Sequence, residues 1–471
     1  MKLPRLWTIS ALAMVVCCQC GAVAHGANQD REFQAAKRKF TQRINAKRPD
    51  VRIETVEALS AEPSVENARL LLEAAFSSKH DDVRQAAAHT LEKFKDDPAV
   101  CEHLLTLVES SLAPPKPAKS GKSKGTKGKQ SEVAFTDVAG PVLLTLLSSE
   151  ADGVSDRALA LLEKAAGESS DGETLIGLLA DALGERGGAN DVAVLANLAA
   201  WKAVENSFPA QRAVTQALIG IREKKAIDAL VAILQSADGQ VKADIVQYLA
   251  LISGQPPAAQ ANIWAQWWEG VQESFEFPGP MNLAGMPAPP APGAPHYYGV
   301  PLYANRMVFV LDTSGSMKGD RIVAAVQKLN QAIDSLHPKV EFTVVVFHAQ
   351  VGVWQRKLVP ATSENRLAAQ AFISQQQLGP ATASYNALEA ALNFPAESIY
   401  FLTDGAPHGG KTDNPVEIVN VITRLNKVRR MSINAFGIGV GPAGNVFDSF
   451  LRALSEKNYG VYRRVDQVEL P

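Results

Sequence analysis

The sequence predicts a multidomain protein in which an all-α region of helical repeats precedes a doubly wound α/β domain. Three observations lead to this prediction. From about Asp30 to Glu276, apolar residues recur every three or four positions, as on the buried face of a helix. From Arg306 onward, short apolar runs alternate with helical segments, which is typical of mostly parallel sheets. Between the two regions, a proline-rich stretch at 277–303 predicts an extended linker.

The composition is that of a folded protein with several domains. Apolar residues make up 46% and charged residues 20% of the 471 residues, which excludes wholesale disorder and a polytopic membrane protein. The 47 basic and 49 acidic residues give a formal net charge of −2, so the overall charge does not favour nucleic-acid binding. Four cysteines are too few for a scaffold built on disulfides.

The first predicted element is a secretory signal peptide over residues 1–24. A short basic start is followed by an apolar run that extends to Cys18 and by small residues that end at Ala24. The apolar run is too short to span a bilayer comfortably, and an uncleaved anchor is the alternative. Cleavage would leave Cys101 as the only cysteine and no transmembrane helix. The expected location is therefore secreted or periplasmic, in the cell envelope.

A repeated phrase runs through the helical region predicted at 25–276. It consists of an acidic residue, a valine and a basic residue, followed by alanine and leucine, and clear copies begin at Asp50 and Asp82. Weaker copies begin at Gly153 and Gln240. The acidic residue suits a helix start, where the helix dipole favours negative charge. The basic residue is expected to stay in water or to pair with a neighbouring repeat.

This phrase resembles HEAT-like repeats over roughly residues 40–255. The first two copies are 32 residues apart and later ones lie about 43 residues per unit apart, which is typical of stacked helical hairpins. The resemblance implies a scaffold that binds partners along an extended surface. An irregular helical domain without true repeats is the alternative.

The lysine-rich insert, residues 113–130, interrupts the helical pattern with six lysines and no acidic residue. Its proline, glycine, serine and lysine content cannot build a core, so a disordered loop is predicted. It is interpreted either as a solvated loop or as a contact with an anionic envelope polymer, a membrane surface or another polyanion. Nucleic acid is disfavoured, because no aromatic residues are interleaved with the lysines.

Three tryptophans, Trp264, Trp267 and Trp268, share one helix face near the end of the helical region. They predict a packed terminal helix or a seam against the next domain. A platform on which a ligand stacks is the alternative.

The C-terminal domain, predicted at 304–471, alternates strands and helices. Predicted strands lie at 307–311, 341–347, 351–354, 398–402, 432–437 and 460–465. Predicted helices lie at 320–336, 364–376, 385–392, 415–428 and 446–456. In such sheets, ligands bind at the carboxyl ends of the strands.

Two carboxylates, Asp312 and Asp404, each follow an apolar strand of this domain. At one sheet edge they would repel each other unless a cation lay between them. Ser314 and Ser316 add hydroxyl oxygens from the turn after Asp312. These hard oxygen donors favour Mg²⁺, or Ca²⁺ or Mn²⁺, and the lack of His and Cys in the motif disfavours zinc.

With this motif, the region from about Arg306 resembles a von Willebrand factor type A domain. The Asp312-x-Ser314-x-Ser316 motif is similar to the family's metal-ion-dependent adhesion site, and Asp404 is similar to its acidic element. The resemblance implies that both serine hydroxyls bind the metal directly, that both aspartates often act through water, and that an acidic group of a protein partner completes the coordination.

The resemblance also implies a threonine ligand from a separate loop, which is Thr382 in this sequence. The loop departs from the family's pattern, because Pro380 and Ala381 precede the threonine and Ser384 could substitute for it. His408 and Asp413 follow Asp404 in the chain and are candidates for the mouth of the ligand site, or residues of a solvated loop.

The predicted function is that of an exported, non-enzymatic binding protein of the adhesion type. No nucleophile–base set, phosphate-binding loop or paired-histidine helix occurs in the sequence. One alternative is an accessory subunit of a larger enzyme or assembly complex, of chelatase-like or envelope machinery, by analogy with other type A domains. A hydrolase whose cation activates water is a further alternative.

Overall fold

The computed structural model describes residues 31–112, 135–279, 295–441 and 443–465. The predicted signal peptide, the lysine-rich insert and most of the predicted linker lie outside the described residues. The chain divides into two compact units, and the division follows Leu175. Within the described ranges, no helix is long and apolar enough to cross a membrane.

The first unit is built of helices where the structure describes it. Its α-helices are α1 (31–44), α2 (Pro49–Glu57), α3 (Val65–Leu70), α4 (Asp81–Glu92), α5 (Pro98–Leu112), α6 (Phe135–Leu147) and α7 (Val154–Glu168), and α8 (Ser170–Arg186) extends past the division. The two clear copies of the repeated phrase begin α2 and α4. Arg52 of the first copy pairs with Asp82 of the second, with Nη2 2.6 Å from Oδ2. The basic residue of this repeat therefore pairs with its neighbour.

The second unit begins with further helices. They are α9 (Ala189–Ala199), α10 (Lys202–Glu205), α11 (Phe208–Gly220), α12 (Lys224–Leu234), α13 (Gly239–Ser253) and α14 (Ala261–Val271). In α14, Trp264 and Trp268 are buried, and the Trp268 indole donates to Asp228 Oδ1 of α12 at 2.6 Å. The tryptophan face therefore forms a packed terminal helix.

A seven-stranded sheet follows in the same unit. Its strands are β3 (Arg306–Asp312), β4 (Glu341–Phe347), β5 (Val351–Val353), β6 (Val359–Pro360), β7 (Ser398–Thr403), β8 (Ser432–Ile438) and β9 (Tyr462–Val465). The order is β5-β4-β3-β7-β8-β9, and β6 pairs with β4. Strands β4, β3, β7, β8 and β9 are parallel, whereas β5 and β6 are antiparallel.

Helices cover both faces of the sheet, as a doubly wound fold requires. The helices are α15 (Asp320–Ser335), α16 (Ser363–Ser374), α17 (Ser384–Leu392), α18 (Pro415–Asn426) and α19 (Val446–Glu456). A hydrophobic core lies on each face of the sheet, and alternate residues of β3 point into one or the other. Phe309 packs with residues of α15 and α16, whereas Val310 packs with residues of α17, α18 and α19. The prediction of a doubly wound α/β domain is confirmed.

The linker predicted at 277–303 extends too far at its C-terminal end. A two-stranded hairpin, β1 (His296–Tyr297) and β2 (Val300–Pro301), occupies that part. Tyr297 is buried in the sheet's core, with its ring centroid 4.8 Å from that of Phe436. Tyr298 and Gly299 both have positive φ, which is typical of a tight hairpin turn. Strands of two residues are too short to show an alternating pattern in the sequence. The proline-rich composition of 277–303 therefore predicted a spacer where β1 and β2 lie.

The helices and the sheet of the second unit are joined by a buried arginine. Arg212 of α11 pairs with Asp244 of α13 at 2.7 Å. Its guanidinium also donates to the carbonyl of Arg430 at 2.5 Å and to the Ser432 hydroxyl at 2.8 Å, where β8 begins. Helices that the sequence assigns to the repeat region thus belong to the same compact unit as the sheet.

Candidate functional site

The candidate site lies where the strand order reverses. Strand β3 pairs with β4 on one side and with β7 on the other, so the chain moves to one side of β3 after that strand and returns to its other side at β7. The register of Leu311 with Leu402 brings Asp312 alongside Thr403 at the carboxyl ends of these strands. A crevice at such a reversal is where open α/β sheets bind ligands.

Asp312 is fully buried and is held at both carboxylate oxygens. The Ser314 amide donates to Oδ1 at 2.7 Å, and the Thr403 hydroxyl donates to Oδ2 at 2.5 Å. The turn itself is fixed by the Thr313 amide, which donates to the carbonyl of Phe347 on β4 at 2.8 Å. The last residue of β3 is thus fixed by its own turn and by the neighbouring strand β7.

Burial dominates the electrostatics of Asp312. It raises the pKa of this carboxyl to about 6, against the opposing effect of the hydrogen bonds from Thr403 and Ser314, and the negative charge of Asp404 adds to the rise. The two carboxylates therefore interact electrostatically. A cation between them would remove this penalty.

Three of the predicted ligands form a continuous chain of oxygen atoms. The hydroxyl oxygens of Ser314 and Ser316 are 2.9 Å apart, and the Ser316 hydroxyl donates to Asp404 Oδ1 at 2.7 Å. Ser314 and Asp404 are buried, whereas Ser316 is exposed. The chain of oxygens therefore connects two buried groups through one hydroxyl that faces the solvent.

Thr382 lies in a loop that is tied to both halves of the site. The Gly379 amide donates to the carbonyl of Thr313 at 3.0 Å. The Thr382 amide donates to the carbonyl of His408 at 2.8 Å, and the His408 amide donates back at 3.0 Å. Ala381, just before the threonine, has a positive φ of 64°, a conformation that is uncommon outside glycine. The structure thus brings the Thr382 backbone and the His408 backbone together beside the metal-motif turn.

Ser384 and Asp413 are less directly placed. Ser384 is buried at the start of α17, where its hydroxyl lies 3.5 Å from the carbonyl of Thr382. Asp413 is exposed, and no hydrogen bond among the described residues joins it to the oxygen cluster.

Two residues, His348 and Gly379, support the loop. The His348 ring lies directly against Gly379, and a Cβ added at that glycine would lie 2.4 Å from Nδ1. The carbonyl of His348 also accepts from the Ala383 amide at 2.9 Å. The loop can therefore approach the motif turn only with glycine at 379.

A basic residue, Arg321, also reaches the site and was not predicted. Its Nη1 donates to Asp404 Oδ2 at 2.7 Å and to the carbonyl of Ser316 at 3.2 Å. One signal in the sequence could have indicated it: a cation in the first turn of a helix, where the dipole opposes positive charge, calls for a nearby anion.

The donor set suits a hard divalent cation. The carboxylates of Asp312 and Asp404 and the hydroxyls of Ser314 and Ser316 lie at the end of β3, and the carboxylates carry the negative charge that a divalent ion would neutralise. Mg²⁺, Mn²⁺ and Ca²⁺ prefer such oxygen ligands. Asp312, Ser314, Ser316 and Asp404 are linked by hydrogen bonds or by the turn, and Thr382 lies on the adjoining loop.

Comparison with known families agrees with this geometry. Residues 305–464 match the von Willebrand factor type A domain. Residues 38–114 match HEAT repeats. Both resemblances predicted from the sequence are confirmed, although the HEAT match covers only the first part of the predicted 40–255.

Curated relatives match about a third of this chain. The inter-alpha-trypsin inhibitor heavy chain H4 of Homo sapiens is 31% identical over 188 residues, which cover 36% of this chain and 20% of the relative. Heavy chain H1 of Mesocricetus auratus is 30% identical over 175 residues, covering 34% of this chain and 18% of the relative. The chain therefore spans about a fifth of the length of these relatives.

Solved structures match a similar share of the chain. A von Willebrand factor type A protein from Catenulispora acidiphila is 22% identical, covers 34% of this chain and 38% of its own, and has a TM-score of 0.31. An aerotolerance-related membrane protein from Bacteroides fragilis is 18% identical, covers 35% of this chain and 92% of its own, and has a TM-score of 0.28.

A separate cavity lies at the opposite edge of the sheet. It has a volume of about 920 Å³ and is lined by α11, α13 and the start of β8, including Arg212, Tyr248 and Ser432. None of the predicted site residues lines it. The large cavity and the oxygen cluster are therefore different features of the second unit.

Proposed function

We propose that the type A domain binds one divalent cation and, through it, an acidic group of a protein partner. The ligands are Asp312, Ser314, Ser316, Thr382 and Asp404, and the cation is Mg²⁺ or a related hard ion, Mn²⁺ or Ca²⁺. The observation that carries the proposal is the chain of oxygens from buried Asp404 through Ser316 to Ser314 at the sheet's switch point.

Each residue of the site has a defined task in this proposal. The Ser316 hydroxyl donates its hydrogen bond to Asp404 Oδ1, which leaves a lone pair of its oxygen available for a cation. Asp312, held by Thr403 and the Ser314 amide, supplies a fixed negative charge behind the serines. The cation, when bound, provides positive charge that attracts a carboxylate of the partner. The partner approaches from the solvent side, where Ser316 is exposed.

The surrounding residues and domains complete the proposal. His408 and Asp413 line the mouth of the site and contribute to the choice of partner. The HEAT repeats serve as a scaffold, and a weak contact of the lysine-rich insert with an anionic envelope polymer is compatible with its charge. The signal-like segment 1–24 supports export to the periplasm, the cell envelope or the medium. The proposed role is binding and not catalysis, because no nucleophile–base set occurs in the sequence.

Selection of displayed random peptides on the full-length protein in Mg²⁺ tests this function. We expect every enriched peptide to contain Asp, Glu or a free C-terminal carboxylate. Synthetic versions should lose binding when that group is converted to an amide and when EDTA replaces Mg²⁺. These losses are expected because the carboxylate reaches the protein through the cation.

The matched control is a selection on the Ser316→Ala variant, which removes one hydroxyl ligand at an exposed position. Peptides that are enriched on the wild-type protein should not bind this variant. Enriched peptides that bind equally well in EDTA, or equally well as amides, would contradict the proposal.

A further inference from the structure

The charge that Asp404 carries is balanced within the protein by Arg321. The Asp404 side chain is fully buried, and its two oxygens accept from different groups, Oδ1 from the Ser316 hydroxyl and Oδ2 from Arg321 Nη1 at 2.7 Å. A buried carboxylate without a positive partner would be costly. Arg321 therefore supplies, in this structure, the positive charge that a divalent cation would supply at the same site.

Arg321 lies at a position of α15 where a positive charge needs a nearby negative partner. It is the second residue of α15, where the helix dipole disfavours positive charge. Its side chain is 33% exposed and lies against Gly439, where an added Cβ would be 3.3 Å from Nε. Gly439 also has a positive φ of 59°. The turn after β8 thus leaves room for the guanidinium to reach Asp404.

From these contacts we infer that Arg321 is an internal counter-cation that competes with the divalent ion for Asp404. The inference rests on the proposed metal site and adds its regulation. A bound divalent ion would be repelled by the guanidinium beside it and would draw Asp404 away from Arg321. Arg321 stabilises the metal-free domain and weakens metal binding, so the site fills only when the divalent cation is abundant.

Calorimetric titration of Mg²⁺ into EDTA-treated full-length protein tests this linkage. Arg321→Gln should bind Mg²⁺ about tenfold more tightly than wild type, because a like charge close to the ion is gone. The same variant should have a lower Tm in EDTA, since Asp404 loses its ion pair. Saturating Mg²⁺ should restore its Tm, because the ion then balances Asp404.

Two control variants test whether the change in Mg²⁺ affinity depends on the charge of residue 321 itself. Lys318→Gln removes a charge from the same turn, at an exposed residue, and should change Mg²⁺ affinity by no more than about threefold. Arg321→Lys keeps the charge and should also stay within about threefold of wild type.

The outcomes distinguish this inference from the proposed function. Mg²⁺ binding by Arg321→Gln but not by wild type would support the inference, as would tighter binding by the variant. Unchanged or weaker binding by Arg321→Gln, or equally tight binding by Arg321→Lys and Arg321→Gln, would overturn it while leaving the proposed function standing. An Arg321→Gln protein that stays unfolded even in Mg²⁺ would overturn it as well. Absence of binding in both wild type and Arg321→Gln would refute the proposed function and the inference with it.

Discussion

At the scale of single residues, the site depends on side chains that do not themselves reach the proposed cation. Thr403 donates to Asp312 Oδ2 at 2.5 Å, and both residues are fully buried. A partner of this kind orients a metal ligand, and its loss lowers metal affinity even when the ligand remains. Thr403 is therefore a positioning residue for Asp312.

Thr403→Val tests this role, because valine keeps the shape of threonine and lacks the hydroxyl. We expect Mg²⁺ affinity to fall about tenfold and the free energy of unfolding in EDTA to fall by about 1–2 kcal/mol. Calorimetry and urea denaturation measure the two effects.

The matched control is Thr343→Val, at a fully buried threonine of β4 whose hydroxyl donates to the carbonyl of Gln355 at 3.0 Å. This change should cost similar stability and leave Mg²⁺ affinity unaltered. If both variants lose Mg²⁺ affinity equally, Thr403 has no special role in the site.

The sequence could identify the proposed oxygen ligands but not the contacts that hold them. Asp312, Ser314 and Ser316 form a local motif next to an apolar strand, so their chemistry can be recognised within five residues. Arg321 and Asp404 are 83 residues apart, and only the pairing of β3 with β7 brings them together. Such a contact depends on strand order and register, which short-range patterns do not specify.

At the scale of elements, most strands and helices of the type A domain follow from local patterns. The bounds predicted for β4 and α19 agree with the structure, since each has a clear apolar pattern between polar or glycine-rich ends. Strands β1, β2 and β6 were not predicted. Each has two residues, which is too few to show alternation.

The attachment of α11 to the sheet depends on Arg212, which is 1% exposed. Arg212→Met should lower the free energy of unfolding of the second unit by about 3–5 kcal/mol, because Asp244 and the Arg430 carbonyl lose their buried partner. Urea denaturation followed by tryptophan fluorescence suits this test, since Trp264 and Trp268 lie in the same unit.

Lys202→Met provides the control for Arg212→Met. Lys202 pairs with Glu205 at 2.7 Å, but its side chain is 76% exposed, so the expected loss is below about 1 kcal/mol. Equal effects of the two substitutions would show that the buried arginine does not anchor α11.

At the scale of the whole molecule, the division of the chain differs from what composition suggests. The predicted proline-rich linker separates the helical region of the sequence from the region of alternating strands and helices. The compact units, however, divide after Leu175, and helices α9 to α14 belong to the same unit as the sheet. Composition indicates where a spacer is expected, but it does not indicate which of the neighbouring elements pack together. The contacts of Arg212 with Arg430 and Ser432 link residues more than 200 positions apart, which no local pattern could reveal.

The proposed function of the molecule depends on one ion at the end of β3. Titration of Mn²⁺ into EDTA-treated full-length protein, with free Mn²⁺ followed by electron paramagnetic resonance, measures this directly. We expect one bound Mn²⁺ per chain for wild type and for Asp334→Asn, which changes an exposed acid at the far end of α15. We expect loss of that site in Asp312→Asn and in Ser316→Ala. Equal binding by all four proteins, or no binding by wild type, would contradict the proposed function.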